Sequence, residues 1–171
     1  FSRLDSALSE HVDISEVVAK LVDLLARVLP DAINLKTKVE PSLWLVQSEN
    51  AQLEQALMNL ILNAVDAMPK GGTILLTADN VSLDEDQAEN IEGLHAGDYG
   101  YIELADEGIG MDEETMEHIF DPFYTSKAIG EGTGLGLSTA YGIVQKSGGN
   151  ISVTSQPGVG TTFKIYLPRS L

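Results

Sequence analysis

The chain of 171 residues carries 26 acids against 10 bases, a formal net charge of −16, with 43% hydrophobic and 21% charged residues and no cysteine. That size and balance describe one soluble domain with a sizeable core, and the lack of thiols excludes a disulfide framework or a zinc–thiolate site. The acidic field argues against a surface that binds nucleic acid by neutralising phosphates, and no apolar run approaches the roughly 18 residues of a membrane span.

The opening FSRLDSALSE is polar and reads as the end of a helix. From Asp13 a capping pattern, with Glu16 three residues later, predicts a helix carrying Val17, Val18, Leu21, Leu24, Leu25 and Val28 on one face and stopping before Pro30. Two short alternating runs, INLKTKV and LWLVQ, are separated by Pro41 and read as strands. The next helix is the clearest element. Leu53, Ala56, Leu57, Leu60, Ile61, Ala64, Val65 and Met68 keep helical spacing, and Pro69 with Gly71-Gly72 ends it. Strands at TILLTADNV and YGYIELAD flank a turn-rich, acid-rich insertion, residues 83–100. A short acidic helix comes after Met111, another helix after GEGTGLGLS, and GNISVTSQPGVGTTFKIYLP reads as two strands joined by a Pro-Gly turn. There is no internal repeat. The pattern predicts a two-layer α/β (α+β) sandwich: a mixed, mostly antiparallel sheet with helices packed on one face.

The run GEGTGLGLS, residues 130–138, invites a phosphate-loop reading. No glycine in it is succeeded by Lys, so GxxxxGK[ST] fails, and Leu135 and Leu137 stand where the last glycine of GxGxxG would fall. The stretch TGLGLSTAYGIVQKSGG has a candidate N-cap at Thr133, helical spacing of Leu137, Ala140, Tyr141 and Val144, and a candidate C-cap at Gly148. The glycines therefore precede a helix N-terminus, where free amides and the dipole favour an anion. A simple mobile loop is the competing reading.

Three further constellations carry chemistry. In NLILNAVDAM, Asn59 and Asn63 are four apart and share one side of the helix, and a carboxamide oxygen suits Mg²⁺; a solvated polar face is the alternative. In YIELADEGIGM a strand runs into Asp106, Gly108 and Gly110. The acid there could accept a bond from an amino group such as that of adenine, or simply form a tight turn. HIFDPFYTSK places Phe120, Phe123 and Tyr124 together as an apolar anchor, with Lys127 between it and the glycines as a candidate phosphate charge.

In this order the motifs resemble the N box (NLILNAVDAM), the two glycine boxes (DEGIG and GTGLGL) and the F box (FDPF) of sensor histidine kinase catalytic domains, within the GHKL superfamily. GVGTTFKIYLP resembles the family's closing strand pair, and the likeness runs from about Ile14 to Pro168. FYTSK and YGIVQKSGG resemble kinases of the nitrogen-regulator and hybrid type. The resemblance implies ATP and Mg²⁺ as cofactors. It implies that Asn63 ligates the metal with Asn59 in support, that Asp106 reads adenine with Gly108 and Gly110 admitting the base, and that Lys127 reaches the terminal phosphates. Gly132, Thr133, Gly134, Leu135, Gly136 and Leu137 would form the lid and its helix junction, and Thr161 or Thr162 would lie near adenine. Two residues depart from the pattern: Glu107 replaces the usual Asn or Thr, and Asp66 stands where relatives carry a basic or amide residue. Asp66 could instead hold a metal-bound water.

Hydrolases of the superfamily resemble one another in a Glu one turn before the metal-binding asparagine. Here that position is Asn59, whose amide cannot take up a proton, so the resemblance favours a protein-histidine kinase over a GHKL ATPase clamp of DNA handling or chaperoning, or an inert scaffold. None of His11, His95 and His118 sits in the family's acceptor setting. The acceptor is therefore expected on a separate dimerisation domain, with residues 1–12 the end of its helix and a linker and residues 13–171 the catalytic domain. Expected partners are that domain and a response-regulator receiver, with no nucleic acid and no membrane contact. The expected location is cytoplasmic, any membrane anchor belonging to other regions of a longer protein.

Overall fold

A computed structural model describes residues 10–124 and 136–170. In chain order its elements are β1 (Glu10–Val12), α1 (Ile14–Leu25), β2 (Ile33–Val39), β3 (Val46–Ser48), α2 (Asn50–Asp66), β4 (Gly72–Leu83), α3 (Glu85–Glu89), β5 (Gly97–Asp106), α4 (Glu113–His118), α5 (Gly136–Lys146), β6 (Asn150–Gln156) and β7 (Gly160–Pro168). Five strands form a sheet in the order β2-β4-β5-β7-β6, and β1 with β3 makes a separate ladder. β2 and β4 run parallel because α2 lies between them and supplies the crossover, while β4–β5, β5–β7 and β6–β7 are antiparallel. The expected mixed sheet is what the sequence builds.

Alternation along the strands sends Ile74, Leu76, Ala78, Ile102, Leu104, Phe163, Ile165 and Leu167 to one face. That face meets the apolar stripes of α1, α2 and α5 in a single core. Each large side chain there is worth about 1.5–3 kcal/mol in burial. The long helices thus cover one face, as expected.

Four local departures have physical causes. First, α1 ends at Leu25, where the backbone tightens into turns (Val28 N to Leu25 O at 3.0 Å). Leu24, still within the helix, is exposed at the edge of its apolar stripe; beyond Leu25 the helical phase is lost, so Val28 is exposed and Leu29 turns inward instead. The Asp13 cap closes on Ser15, whose N and Oγ donate to Asp13 Oδ1 at 2.9 and 2.6 Å. Second, LWLVQ yields only the short β3, because Asn80 of β4 clamps the preceding loop: its Oδ1 accepts from Trp44 N at 2.8 Å and its Nδ2 donates to Ser42 O at 2.9 Å. Third, residues 10–12, the last of the expected helix end and linker, form a short strand on β3 with Val12 fully buried, and residues 1–9 lie outside the described residues. Fourth, the insertion at 83–100 contains α3, started by a reciprocal Asp84–Gln87 capping box (2.8 and 2.9 Å). Leu83, Ala88, Leu94 and Tyr99 form a second small core with Tyr166, on the sheet face opposite the main core.

The start of α2 has a weakness. Glu49 occupies the N-cap without capping, and its Oε2 is buried with no hydrogen-bond partner among the described residues. Glu49→Asp shortens the side chain to a length that reaches the first-turn amides. It is expected to raise unfolding stability by about 0.5–1 kcal/mol, read as a higher urea midpoint at unchanged slope; an unchanged or lower midpoint refutes the assignment.

Candidate functional site

α2, the end of β5 and the start of β7 converge at one end of the sheet. Asp106 closes β5, paired in register with Thr161 of β7. Its Oδ1 accepts from Gly108 N at 2.8 Å and from Thr161 N at 3.3 Å, leaving Oδ2 without a described donor. Burial pushes this carboxyl above the usual carboxylate range, and the two amides pull against that shift.

The loop after Asp106 lies on the end of α2. Ile109 N donates to Ala67 O at 2.9 Å, and Ile109 O accepts from Gly158 N at 2.7 Å. A Cβ on Gly108 would fall 2.7 Å from both the Cβ and the carbonyl oxygen of Ala67. Gly110 adopts φ 70° against the carbonyl of Gln156. Both glycines are thus demanded by chain packing on chain, a reason independent of any ligand that the sequence does not disclose.

Asn59 Nδ2 donates to Gly136 O at 3.0 Å, joining α2 to the first residue of α5. Leu137, next along α5, packs on the main core. Asn63, one turn after Asn59, is half-buried, and its carboxamide has no hydrogen-bond partner among the described residues. Its backbone oxygen accepts from Ala67 N at 3.1 Å, the residue that also carries the Asp106 loop. Asp66 is exposed at the end of α2. Glu107, the unexpected acid, is held at the start of β4, where its Oε1 accepts from Thr73 N at 2.9 Å. Of the two candidate threonines, Thr161 is buried on the same face as Asp106, whereas Thr162 alternates to the other. Lys127, Gly132, Thr133, Gly134 and Leu135 lie outside the described residues.

The aromatic anchor divides. Phe120 packs on Tyr141 and Phe163 (ring centroids 5.1 and 6.2 Å), Tyr124 stacks on His118 at 5.6 Å, and Phe123 points outward. His118 Nδ1 meets Asp121 Oδ2 at 2.9 Å, a bond that raises its pKa, and His11 bonds Ser170. His95 is held through its backbone by the Tyr99 hydroxyl. Among the described residues no three His, Cys, Asp or Glu side chains cluster to hold a metal, and no helix is long and apolar enough to cross a membrane. Sequence patterns do not single out Ser155, whose hydroxyl bonds Met111, Gly160 and Thr161. The hairpin register, which sets Ser155 opposite Thr161, is the signal that could find it.

A two-layer sandwich thus sets a half-buried acid at a strand end beside an asparagine-bearing helix. Residues 48–171 match the histidine kinase-, DNA gyrase B- and HSP90-like ATPases, and the chain belongs to that family. It is 43% identical over 169 residues to the sensor kinase CckA of Brucella abortus, covering 99% of this chain and 18% of that protein. It is 34% identical over 160 residues to sporulation kinase E of Bacillus subtilis, covering 93% of this chain and 20% of that protein. The chain thus spans about a fifth of the length of these relatives. Among solved structures, the mycobacterial sensor histidine kinase MprB superposes with a TM-score of 0.75 at 25% identity, over 95% of this chain and 98% of that one. The fold is shared with full-length ShkA solved with AMPPNP, at a TM-score of 0.74 and 24% identity, over 95% of this chain and 31% of that one.

Proposed function

We propose that this chain is the catalytic domain of a two-component sensor histidine kinase, which binds Mg·ATP and transfers the γ-phosphoryl group to a histidine on a separate dimerisation domain for relay to a response-regulator receiver. The observation that carries the kinase reading is Asn59. Its amide nitrogen donates to Gly136 O, so a neutral positioning group stands where a hydrolase needs a base. Transfer by positioning and charge neutralisation suits such a site better than activation of water does. The relatives named as sensor and sporulation kinases support the same class.

In this reading Asp106 Oδ2 accepts from the adenine 6-amino group and Thr161 lies beside it. Gly108 and Gly110 shape the loop under the base. Lys127, Gly132, Thr133, Gly134, Leu135, Gly136 and Leu137 serve the phosphates and lid. The half-buried carboxamide of Asn63, without a partner among the described residues, fits a Mg²⁺ ion arriving with the nucleotide, and in this reading Asp66 holds one of its waters. The metal supplies charge neutralisation at the phosphates. Asn59 keeps the metal-bearing helix and the start of α5 in register.

Incubation with γ-labelled ATP, with and without a supplied acceptor hairpin, tests the reaction. Acid-labile label on the hairpin is expected; rapid phosphate release without an acceptor overturns the kinase reading. The raised carboxyl of Asp106 predicts a pH signature as well. Adenine is read by the ionised form, so ATP affinity is expected to be flat above the folded pKa and to weaken by about tenfold per pH unit below it. Calorimetry across the acid range checks this, and an affinity that tracks an ordinary exposed aspartate refutes it.

A further inference from the structure

We propose that Ser155 is a positioning residue that makes the site select adenine over 6-oxo purines, by fixing the direction of the Thr161 hydroxyl proton; the proposal rests on Asp106 receiving the base.

A serine hydroxyl has one proton and two lone pairs. The Ser155 proton goes to the Gly160 carbonyl at 2.9 Å, because a carbonyl can only accept. One lone pair accepts from Met111 N at 2.8 Å. The other faces Thr161 Oγ1 at 2.7 Å, so Thr161 must be the donor of that pair. With its proton committed to Ser155, the Thr161 oxygen offers lone pairs alone to anything else. Thr161 is buried, and turning its hydroxyl would leave Ser155 short of a donor inside the fold.

The neighbouring group has the same polarity. Thr161 N donates to Asp106 Oδ1 at 3.3 Å, and the two residues face each other across β5 and β7. The carboxylate and the acceptor-only hydroxyl therefore belong to paired residues on one face of the sheet. Adenine presents an amino group, a donor, at its 6 position. Hypoxanthine and guanine present a carbonyl oxygen there, which would meet lone pairs from both. Ser155 reaches this position because the β6–β7 hairpin pairs it with Thr161. The same hydroxyl ties down Met111, just past the Gly110 turn, so the loop carrying the base is braced by the group that sets its selectivity.

The test measures dissociation constants for Mg·ATP and Mg·ITP by calorimetry on the wild type, Ser155→Ala and Ser155→Thr. The wild type is expected to prefer ATP. Ser155→Ala frees the Thr161 proton to turn toward a 6-oxo group, so the preference is expected to fall by about tenfold, the worth of one mismatched buried hydrogen bond. Ser155→Thr keeps the hydroxyl and is expected to keep the preference, which separates proton orientation from a merely structural role. An unchanged preference in Ser155→Ala, or equal weakening of both nucleotides, overturns the proposal. Should Ser155→Ala fail to fold, Thr161→Val deletes the oriented oxygen and must lower the same preference; no change overturns it. A wild type that binds ATP and ITP equally sinks the selectivity alone, whereas one that binds neither sinks the site reading beneath it.

Discussion

Asp106→Asn is expected to weaken ATP binding by well over tenfold while leaving the apo fold at least as stable as wild type. A hydrogen bond from a neutral donor to a charged acceptor is worth about 1.5–3 kcal/mol, or roughly 10- to 150-fold in affinity. The geometry pushes the loss toward the upper end. Both described bonds to Asp106 fall on Oδ1, from the amides of Gly108 and Thr161. An asparagine would keep its oxygen there, which turns its NH₂ group toward the place where Oδ2 now stands. Donor then meets donor at the adenine amino group. The stability half comes from linkage. A carboxyl whose folded pKa lies above its unfolded value destabilises the fold where it is ionised, and that penalty disappears as pH falls through the folded pKa. The substitution removes the penalty at neutral pH. Calorimetry with ATP and urea unfolding without it check the two halves; retained affinity would remove Asp106 from the site.

Gly110→Ala is expected to cost about 2–5 kcal/mol, a large share of the stability of the domain. Its φ of 70° lies where an L side chain costs about 1–2 kcal/mol. The added Cβ would also collide with the backbone carbonyl of Gln156, which cannot swing aside as a side chain could. Overpacking of this kind adds typically about 1–3 kcal/mol, against a total that for single domains is about 5–15 kcal/mol. Gly158→Ala makes the control: its φ is 77°, but nothing lies within 4 Å of the added atom. It is expected to lose about 1–2 kcal/mol, the conformational cost alone. Equal urea midpoints for the two variants would show that the approach to Gln156 is not rigid.

These two glycines also mark how far the sequence could be read. Helical and alternating periodicity in α2, β4, β5 and β7 located the core and the ends of the elements, because burial imposes a period that composition cannot hide. Asp106, Asn59 and Asn63 stood out because polar residues in those settings need a reason. What sequence could not carry was long-range pairing. That Glu107 turns to Thr73, that Asn80 holds Trp44, and that Asn59 reaches Gly136 depend on which strands and helices become neighbours, and the contacts span 34, 36 and 77 positions. The choice between Thr161 and Thr162 needed the register of β5 on β7. The strand at residues 10–12 escaped the sequence for a similar reason, since a three-residue strand is created by its partner β3 and not by its own pattern.

The ladder of β1 on β3 has a mechanical consequence. Val46 of β3 also bridges Arg169, Ser170 N donates to Leu45 O at 2.8 Å, and His11 bonds the Ser170 side chain. Residues 10–12 and 169–170 are thereby fastened on one short strand, and the Arg169 guanidinium lies 4.3 Å from the Trp44 ring centroid and 3.1 Å from Asp98 Oδ2. A pull or twist applied between these two points is carried by that small clasp and bypasses the five-stranded sheet. Asp106 and Thr161 lie at the opposite end of the β5–β7 ladder from this clasp.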